Sequence, residues 1–250
     1  MLSKAKIKLI HSLERKKNRL ATGLFVAEGT KLVSELLPHF ACKLLLATEE
    51  WLTENNNTEV EEIIVVSETE LHTASLMNAP QQVLAIFEQA KNVCHWEEID
   101  TQLTLVLDNV QDPGNVGTII RIADWFGIRD VICSPTCADI YTPKTTQATM
   151  GAMARVKVHY MELELFFENI STDLPVFGTL LDGENMYGKT LSDRGVIVMG
   201  SEGNGISPEI RKYITERLYI PNYPAESPTS ESLNVAVATA IVCAEFRRRT

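Results

Sequence analysis

Apolar positions along the chain change rhythm near residue 103, and that change divides the sequence. Before it, Ile7, Ile10 and Leu13 recur at helical spacing and predict a basic helix over residues 5–19. Thr22-Gly23 breaks it, Leu24–Val26 predicts a short strand, and Lys31–Leu37 resumes helical spacing until Pro38 stops it. The runs KLLLA (43–47) and EIIVV (62–66) predict buried strands separated by the polar stretch Thr53–Glu61, and Val83–Phe87 is a further apolar run. These elements form an α/β unit of about 90 residues, bounded by the polar segment Lys91–Gln102.

From Leu103 the rhythm becomes strand, loop, helix, repeated. LTLVL (103–107) precedes a Pro-Gly-Asn loop and a helix from Val116 to Phe126, and VIC (131–133) precedes a polar loop and a helix over Thr145–Ala154. VKVHY, PVFGTLL, GVIVMG and RLYIP are further short apolar runs, and a long apolar helix over Ser232–Arg248 closes the chain. Short apolar strands alternating with helices predict an α/β fold with a mostly parallel sheet covered on both faces. In such sheets ligands sit beyond the carboxyl ends of the strands, where the polar and glycine-rich loops fall here. The expected division is a smaller N-terminal α/β domain over 1–95 and a second domain over 103–250.

Composition narrows the function classes. The longest apolar stretches are far too short to span a bilayer, and the basic N-terminus has no apolar region or cleavage site of a secretory signal after it. Five cysteines (Cys42, Cys94, Cys133, Cys137 and Cys243) form no CxxC pair. They indicate neither a disulfide framework nor a metal site, and a reducing cytoplasm is expected. A net charge of −10 argues against a nucleic-acid partner until its distribution is read. Residues 1–31 carry eight basic and two acidic residues, whereas residues 32–100 carry two basic and thirteen acidic ones. The basic head, with Lys16, Lys17 and Arg19, reads either as a solvated helix face or as a phosphate-contacting surface.

Three loops could carry chemistry. In LDNVQDPGNVGTIIRIADWFG (107–127), Asp112-Pro113-Gly114 is turn chemistry and Asn115 suits a helix N-cap. Ile119, Ile122, Ala123 and Phe126 would form the buried face of the following helix. Arg121 lies off that stripe, either as a surface arginine or as a fork for a phosphate or RNA hydroxyl. In VMGSEGNGIS (198–207), Gly200, Gly203 and Gly205 allow positive φ and close backbone approach. The spacing is not a dinucleotide fingerprint, and the Lys-Ser/Thr of a phosphate loop is absent. Glu202 in that turn repels phosphate and points to a cationic or hydrogen-bond-donating ligand. In the third segment a strand ends at Ile220-Pro221, and Glu231 or Ser232 starts the last helix. Capping explains Ser232 but leaves Asn234 unexplained.

Together the loops resemble the three signature motifs of the SpoU (TrmH-like) family of SPOUT RNA 2′-O-ribose methyltransferases. The matching residues are Asp112-Pro113-x-Asn115-x-Gly117-x-x-x-Arg121, Gly200-Ser201-Glu202-Gly203-x-Gly205, and Ile220-Pro221 with Ser232-Leu233-Asn234. The resemblance spans 103–250, and Phe25-Val26-Ala27-Glu28-Gly29 is more loosely similar to the family's substrate-binding domain. It implies a C-terminal trefoil knot, an exception to unthreaded chains, and a homodimer whose site is completed across the interface. It implies S-adenosylmethionine as cofactor, held near Thr179, Leu180, Gly200, Ile220 and Leu233. It also implies that Arg121 acts on the ribose hydroxyl, with Asn115, Glu202, Ser232 and Asn234 organising the site. The RNA, ribosomal or transfer, would dock on the N-terminal domain through Lys16, Lys17 and Arg19.

An arginine, with a pKa above about 12, is ill suited to be a general base. Arg121 is therefore expected to position the RNA and stabilise oxyanion charge. The segment between Ile220-Pro221 and Ser232 is longer than the family's usual loop and contains Pro224 and Pro228, with Ser227, Thr229 and Ser230 near the expected cofactor site. A non-catalytic RNA-binding protein that keeps the fold is the competing class.

Overall fold

The computed structural model describes residues 2–55, 59–224 and 232–248. In chain order its elements are α1 (Lys4–Ser12), α2 (Lys16–Thr22), β1 (Leu24–Glu28), α3 (Thr30–Leu36), β2 (Cys42–Ala47), α4 (Glu49–Glu54), β3 (Ile63–Val65), α5 (Glu68–Ala74), β4 (Val83–Glu88), α6 (Trp96–Ile99), β5 (Leu103–Asp108), α7 (Pro113–Trp125), β6 (Asp130–Cys133), α8 (Pro143–Thr149), β7 (Lys157–Tyr160), α9 (Leu163–Asn169), β8 (Val176–Asn185), β9 (Gly195–Gly200), α10 (Pro208–Arg211), β10 (Glu216–Tyr219) and α11 (Val235–Arg248). No helix among the described residues is long and apolar enough to cross a membrane.

The chain forms two compact units, and the first joins residues 1–91 to 139–154. The inclusion of 139–154, α8 with its flanks, departs from a division at a single linker. Within this unit Arg19 on α2 pairs with Asp139, and Phe25 and Tyr141 lie ring to ring with centroids 4.8 Å apart. The sheet runs β1-β4-β2-β3, antiparallel except for the β2–β3 pair. One face packs Leu44, Leu46, Leu84 and Ile86 against Ile10 and Leu13. The run 62–66 is not the buried strand expected: β3 lies at the sheet edge, with Ile63 and Val65 exposed.

The helix expected over 5–19 is two helices. Arg19 Nη1 donates to the carbonyls of Leu13 (2.8 Å) and Glu14 (2.7 Å), and Asn18 Nδ2 donates to that of Ser12 (2.8 Å). Side chains of α2 thus satisfy carbonyls at the end of α1 and beyond it that a continuing helix would have bonded internally. Gly23, at φ 68°, ends α2 in the left-handed conformation open to glycine.

The second unit, residues 92–138 and 155–250, holds a six-stranded sheet in the order β10-β8-β9-β5-β6-β7, and every pairing in it is parallel. Val106, Ile132, Val196 and Val198 face α9 through Leu163, Phe166 and Phe167. Side chains of alternate parity face the other way, where α11 packs against α7 and β9 and Phe246 meets Phe177 edge-on at 4.9 Å. Both sheet faces are covered, which is why its strands read as unbroken apolar runs.

Candidate active site

The sequence places the start of α7 too late. Pro113 occupies the first turn, where its missing N–H costs nothing, and Asp112 is the N-cap, its Oδ1 accepting from Asn115 N at 2.9 Å. Asn115 is therefore not the cap, and its side-chain amide is left for other partners. The buried stripe is Val116, Ile119, Ile120 and Ala123, whereas Ile122 and Phe126 are only half-buried. The Arg121 side chain is exposed and bonds to no other described residue. It lies about 120° around the helix from Asn115 and roughly 9 Å along it, on the other flank of the stripe.

At the end of β9 the chain makes a tight turn. A Cβ on Gly200 would sit 2.1 Å from the Gly205 carbonyl carbon and 2.2 Å from Ile206 N, so only glycine fits. Ser201 and Gly205 exchange backbone bonds of 3.1 and 2.9 Å, and Gly205 takes φ 64°. Of the three glycines that would allow positive φ here, Gly205 alone adopts it. The turn leaves Glu202 exposed at its tip.

The last helix starts at Val235, and Asn234 is its cap: Oδ1 accepts from Ala236 N at 3.0 Å and Val237 N at 3.3 Å. Capping thus explains Asn234 and not Ser232, which lies exposed two residues upstream. Asn234 Nδ2 remains free to donate to Asn115 Oδ1 at 3.0 Å, and Asn115 Nδ2 donates to the Glu202 carboxylate in a close contact. Residues 115, 202 and 234 therefore form one relay, from the Glu202 carboxylate through two amides to the first turn of α11. Arg121 and Ser232 are not brought into it. Ser227, Pro228, Thr229, Ser230 and Glu231 lie outside the described residues.

The residues expected to hold a cofactor lie along the same rim. β8 and β10 pair up to Gly178↔Arg217 and resume at Glu184↔Leu218, so 179–183 bulges beside the end of β9. Thr179 donates from Oγ1 to Val198 O at 3.2 Å, Leu180 is buried, and Ile220 follows β10 half-buried. Thr179, Leu180, Gly200 and Ile220 thus sit at or near the carboxyl ends of three adjacent strands. Leu233 is exposed just ahead of the α11 cap.

Two residues beside this rim escaped the sequence reading. Asp108 is 2% exposed at the end of β5, and Asn109 takes φ 57°. The available signal was a carboxyl group closing the apolar run LTLVL. Cys133 and Cys137 are buried, and no metal-binding group occurs among the described residues. A hydrogen bond from Cys133 is the main cause that brings the Cys137 thiol down to about 7.

The N-terminal basic residues divide. Lys16 and Lys17 are exposed and pair with no described residue. Arg19, expected at an RNA surface, is 1% exposed, with Nη2 2.6 Å from Asp139 Oδ2 and Nη1 on two backbone carbonyls. Its fork is spent inside the unit.

Comparison with known proteins brings these features under one heading. Residues 102–244 match the SpoU rRNA Methylase family, and residues 4–85 match an MRM3-like substrate binding domain. The chain is 30% identical over 249 residues to the 23S rRNA (guanosine(2553)-2′-O)-methyltransferase RlmP of Bacillus subtilis, covering 97% of this chain and 96% of that protein. A TrmH-family protein from Porphyromonas gingivalis is similar in structure with a TM-score of 0.90 and 41% identity over 100% of both chains. An AdoMet-bound rRNA methyltransferase from Sinorhizobium meliloti is similar with a TM-score of 0.85 and 30% identity over 100% of this chain and 96% of that one.

Proposed function

The chain belongs to the SpoU rRNA methylase family of RNA methyltransferases, and from that membership we propose that it transfers a methyl group from S-adenosylmethionine to a ribose 2′-hydroxyl of ribosomal RNA. The observation that carries this reading is the relay of Asn115, Glu202 and Asn234. It unites three loops separated by 87 and 119 residues at the carboxyl end of the sheet. Ribosomal RNA is preferred to transfer RNA because the similarity to the 23S rRNA enzyme of B. subtilis extends over nearly the whole chain.

The rim suits the cofactor. Thr179 and Leu180 on the bulge, Gly200 in its tight turn, Ile220 and Leu233 combine backbone groups with apolar side chains, and the Glu202 carboxylate favours a cationic ligand over a polyphosphate. When bound, S-adenosylmethionine supplies an electrophilic methyl group. Asn115 and Asn234 hold the Glu202 carboxylate in place, so that orientation of the reactants is prepared before they meet. Ser232, exposed two residues ahead of Asn234, is assigned a further polar contact to the bound reactants.

Arg121 is assigned the stabilisation of developing charge on the ribose oxygen. It faces away from the relay of its own chain and shares an outward face of α7 with Trp125, which is 85% exposed. On α11, Val237, Ile241 and Ala244 recur at helical spacing along a side that is not fully buried. These faces support a homodimer in which Arg121 of one subunit serves the relay of the other. β10 lies at a sheet edge, yet α11 returns to pack on α7 and β9. That return supports a C-terminal trefoil knot.

The expected N-terminal domain over 1–95 is assigned to docking RNA through Lys16 and Lys17, and the expected second domain over 103–250 to catalysis in the cytoplasm. The test is transfer of tritium from labelled S-adenosylmethionine to transcribed 23S rRNA and, in parallel, to transfer RNA. Label in the ribosomal RNA that survives as an alkali-resistant dinucleotide is expected, because a 2′-O-methyl group blocks cleavage of the next phosphodiester. Transfer to neither RNA would return the chain to the class of non-catalytic RNA-binding proteins.

A further inference from the structure

Asp108 closes β5 with a buried carboxyl group that forms no ion pair with any described residue. Both of its oxygens accept hydrogen bonds instead, Oδ1 from Asn109 Nδ2 at 2.7 Å and Oδ2 from Ser207 N at 2.7 Å. Ser207 lies just past the turn that carries Glu202 and is the N-cap of α10. The strand register sets Asp108 opposite Gly200, where the same turn begins.

Asn109 is held with equal care. Its φ of 57° is left-handed, a conformation that a non-glycine residue adopts only at some cost. The backbone N–H donates to Ser134 Oγ at 3.0 Å, Nδ2 donates to Asp108, and Oδ1 accepts from the Thr136 hydroxyl in a close contact. Ser134 N in turn donates to Leu107 O at 3.0 Å, which ties the loop after β6 to the end of β5. From Asn109 the chain runs directly to the Asp112 cap and Asn115.

We propose that Asp108 and Asn109 are positioning residues for methyl transfer: together they set the separation of Asn115 and Glu202, and through it the geometry of the relay. A buried carboxyl group and a left-handed asparagine are costly features that a plain strand-to-helix connection does not need. They occur where two loops 87 residues apart must meet within a hydrogen bond. The inference rests on the reading of the relay as part of a methyltransferase site.

The experiment measures tritiated methyl transfer to transcribed 23S rRNA by full-length Asp108→Asn and Asn109→Gly, together with amide hydrogen exchange over residues 201–207. Asp108→Asn puts an amide donor against one of two donors, and a displacement of the turn by an ångström is expected to lower kcat about 10- to 100-fold. KM for the RNA should change by less than about twofold, because RNA docking does not depend on this turn. Exchange over 201–207 should quicken. Asn109→Gly keeps the left-handed conformation at no cost but removes both side-chain bonds, and about a tenfold loss of kcat is expected.

Full turnover by Asp108→Asn well below its melting temperature would overturn the proposal even if the variant is less stable. A purely structural role changes the folded fraction and not the rate per folded molecule. Full turnover by Asn109→Gly would overturn the part played by Asn109. If the wild type methylates neither RNA, the functional reading fails separately. Hydrogen exchange then decides the positioning claim, and unchanged protection of 201–207 in Asp108→Asn overturns it.

Discussion

The junction between α1 and α2 and the junction between β5 and α7 both concentrate polar side chains, and they use them in opposite ways. In the first, Arg19 and Asn18 turn inward and bond mostly to backbone carbonyls five or six residues away. In the second, Asn115 gives its amide to Glu202 and accepts from Asn234, while Arg121 on the same helix bonds to nothing described. A polar residue consumed by nearby backbone is holding a fold together. One joined to side chains from distant loops, or left free beside them, is available for chemistry. The arginines make the contrast sharpest, since the sequence marked both as RNA contacts.

The largest expected effect falls on the structural arginine. Arg19→Ala leaves Asp139 and two carbonyls without their donor, and loss of one partner of a buried pair costs about 3–5 kcal/mol. Urea denaturation should show that loss, with RNA affinity per folded molecule unchanged. Weakened RNA binding at intact stability would reverse the contrast.

Arg121 should behave the other way. Arg121→Ala is expected to lower kcat about 10²–10³-fold and to move stability by less than about 0.5 kcal/mol, as for an exposed site. Arg121→Lys keeps the charge but loses the fork, and full turnover in it would sink the bidentate role. Mixing inactive Arg121→Ala with inactive Glu202→Ala subunits should restore methyl transfer if the site is shared between chains. No recovery would place both residues in a single-chain site.

These cases show where the sequence was legible. The parallel sheet was readable because its strands are buried on both faces, so burial wrote itself into apolar runs such as LTLVL. The break after Ser12 was hidden, because Arg19 reaches both the carbonyls beyond α1 and Asp139, 120 residues away. Pro113 was taken for a turn residue although a first helical turn accepts it equally well. The resemblance brought Asn115, Glu202 and Asn234 onto one list of residues, but no pattern foretold that Asn234 would cap α11 and feed the relay at once. Asp108 and Asn109 lay outside the motifs and were missed for that reason.

The double duty of Asn234 can be separated. Asn234→Ser keeps an oxygen for the cap and loses the amide donor to Asn115, so stability should hold while kcat falls about tenfold. Asn234→Ala loses both and should also cost about 1 kcal/mol in thermal or urea unfolding. Equal kcat in the wild type and Asn234→Ser would reduce Asn234 to a cap.

Lys16 and Lys17 sharpen the comparison within α2, where they stand free beside the committed Arg19. Replacing both with Gln should lower RNA affinity and make its salt dependence shallower, by a slope of about 1.4–1.8 in log K against log salt. Filter binding to transcribed 23S rRNA over a range of salt measures this, and an unchanged slope returns both lysines to the solvated surface.

The smallest effect concerns Glu28, a second inward-turned group of the N-terminal unit. Burial is the main cause that raises its pKa above the ordinary carboxylate value, and it outweighs hydrogen bonds from Ser75 and Leu76 N and the nearby His11. A folded-state pKa above the unfolded one means that the native protein binds the proton more tightly. Its contribution to stability is therefore complete below the unfolded pKa and is lost as pH rises through the folded one. Glu28→Gln removes the titration and keeps an acceptor. The stability of the wild type relative to this variant should fall as pH rises from the unfolded-state pKa through the raised folded-state one and then level off. Urea denaturation of the pair across that range is the check. A difference that instead grows with pH would mean that the bonds from Ser75 and Leu76 outweigh burial, and Glu28 would then hold its loop as a stabilised carboxylate.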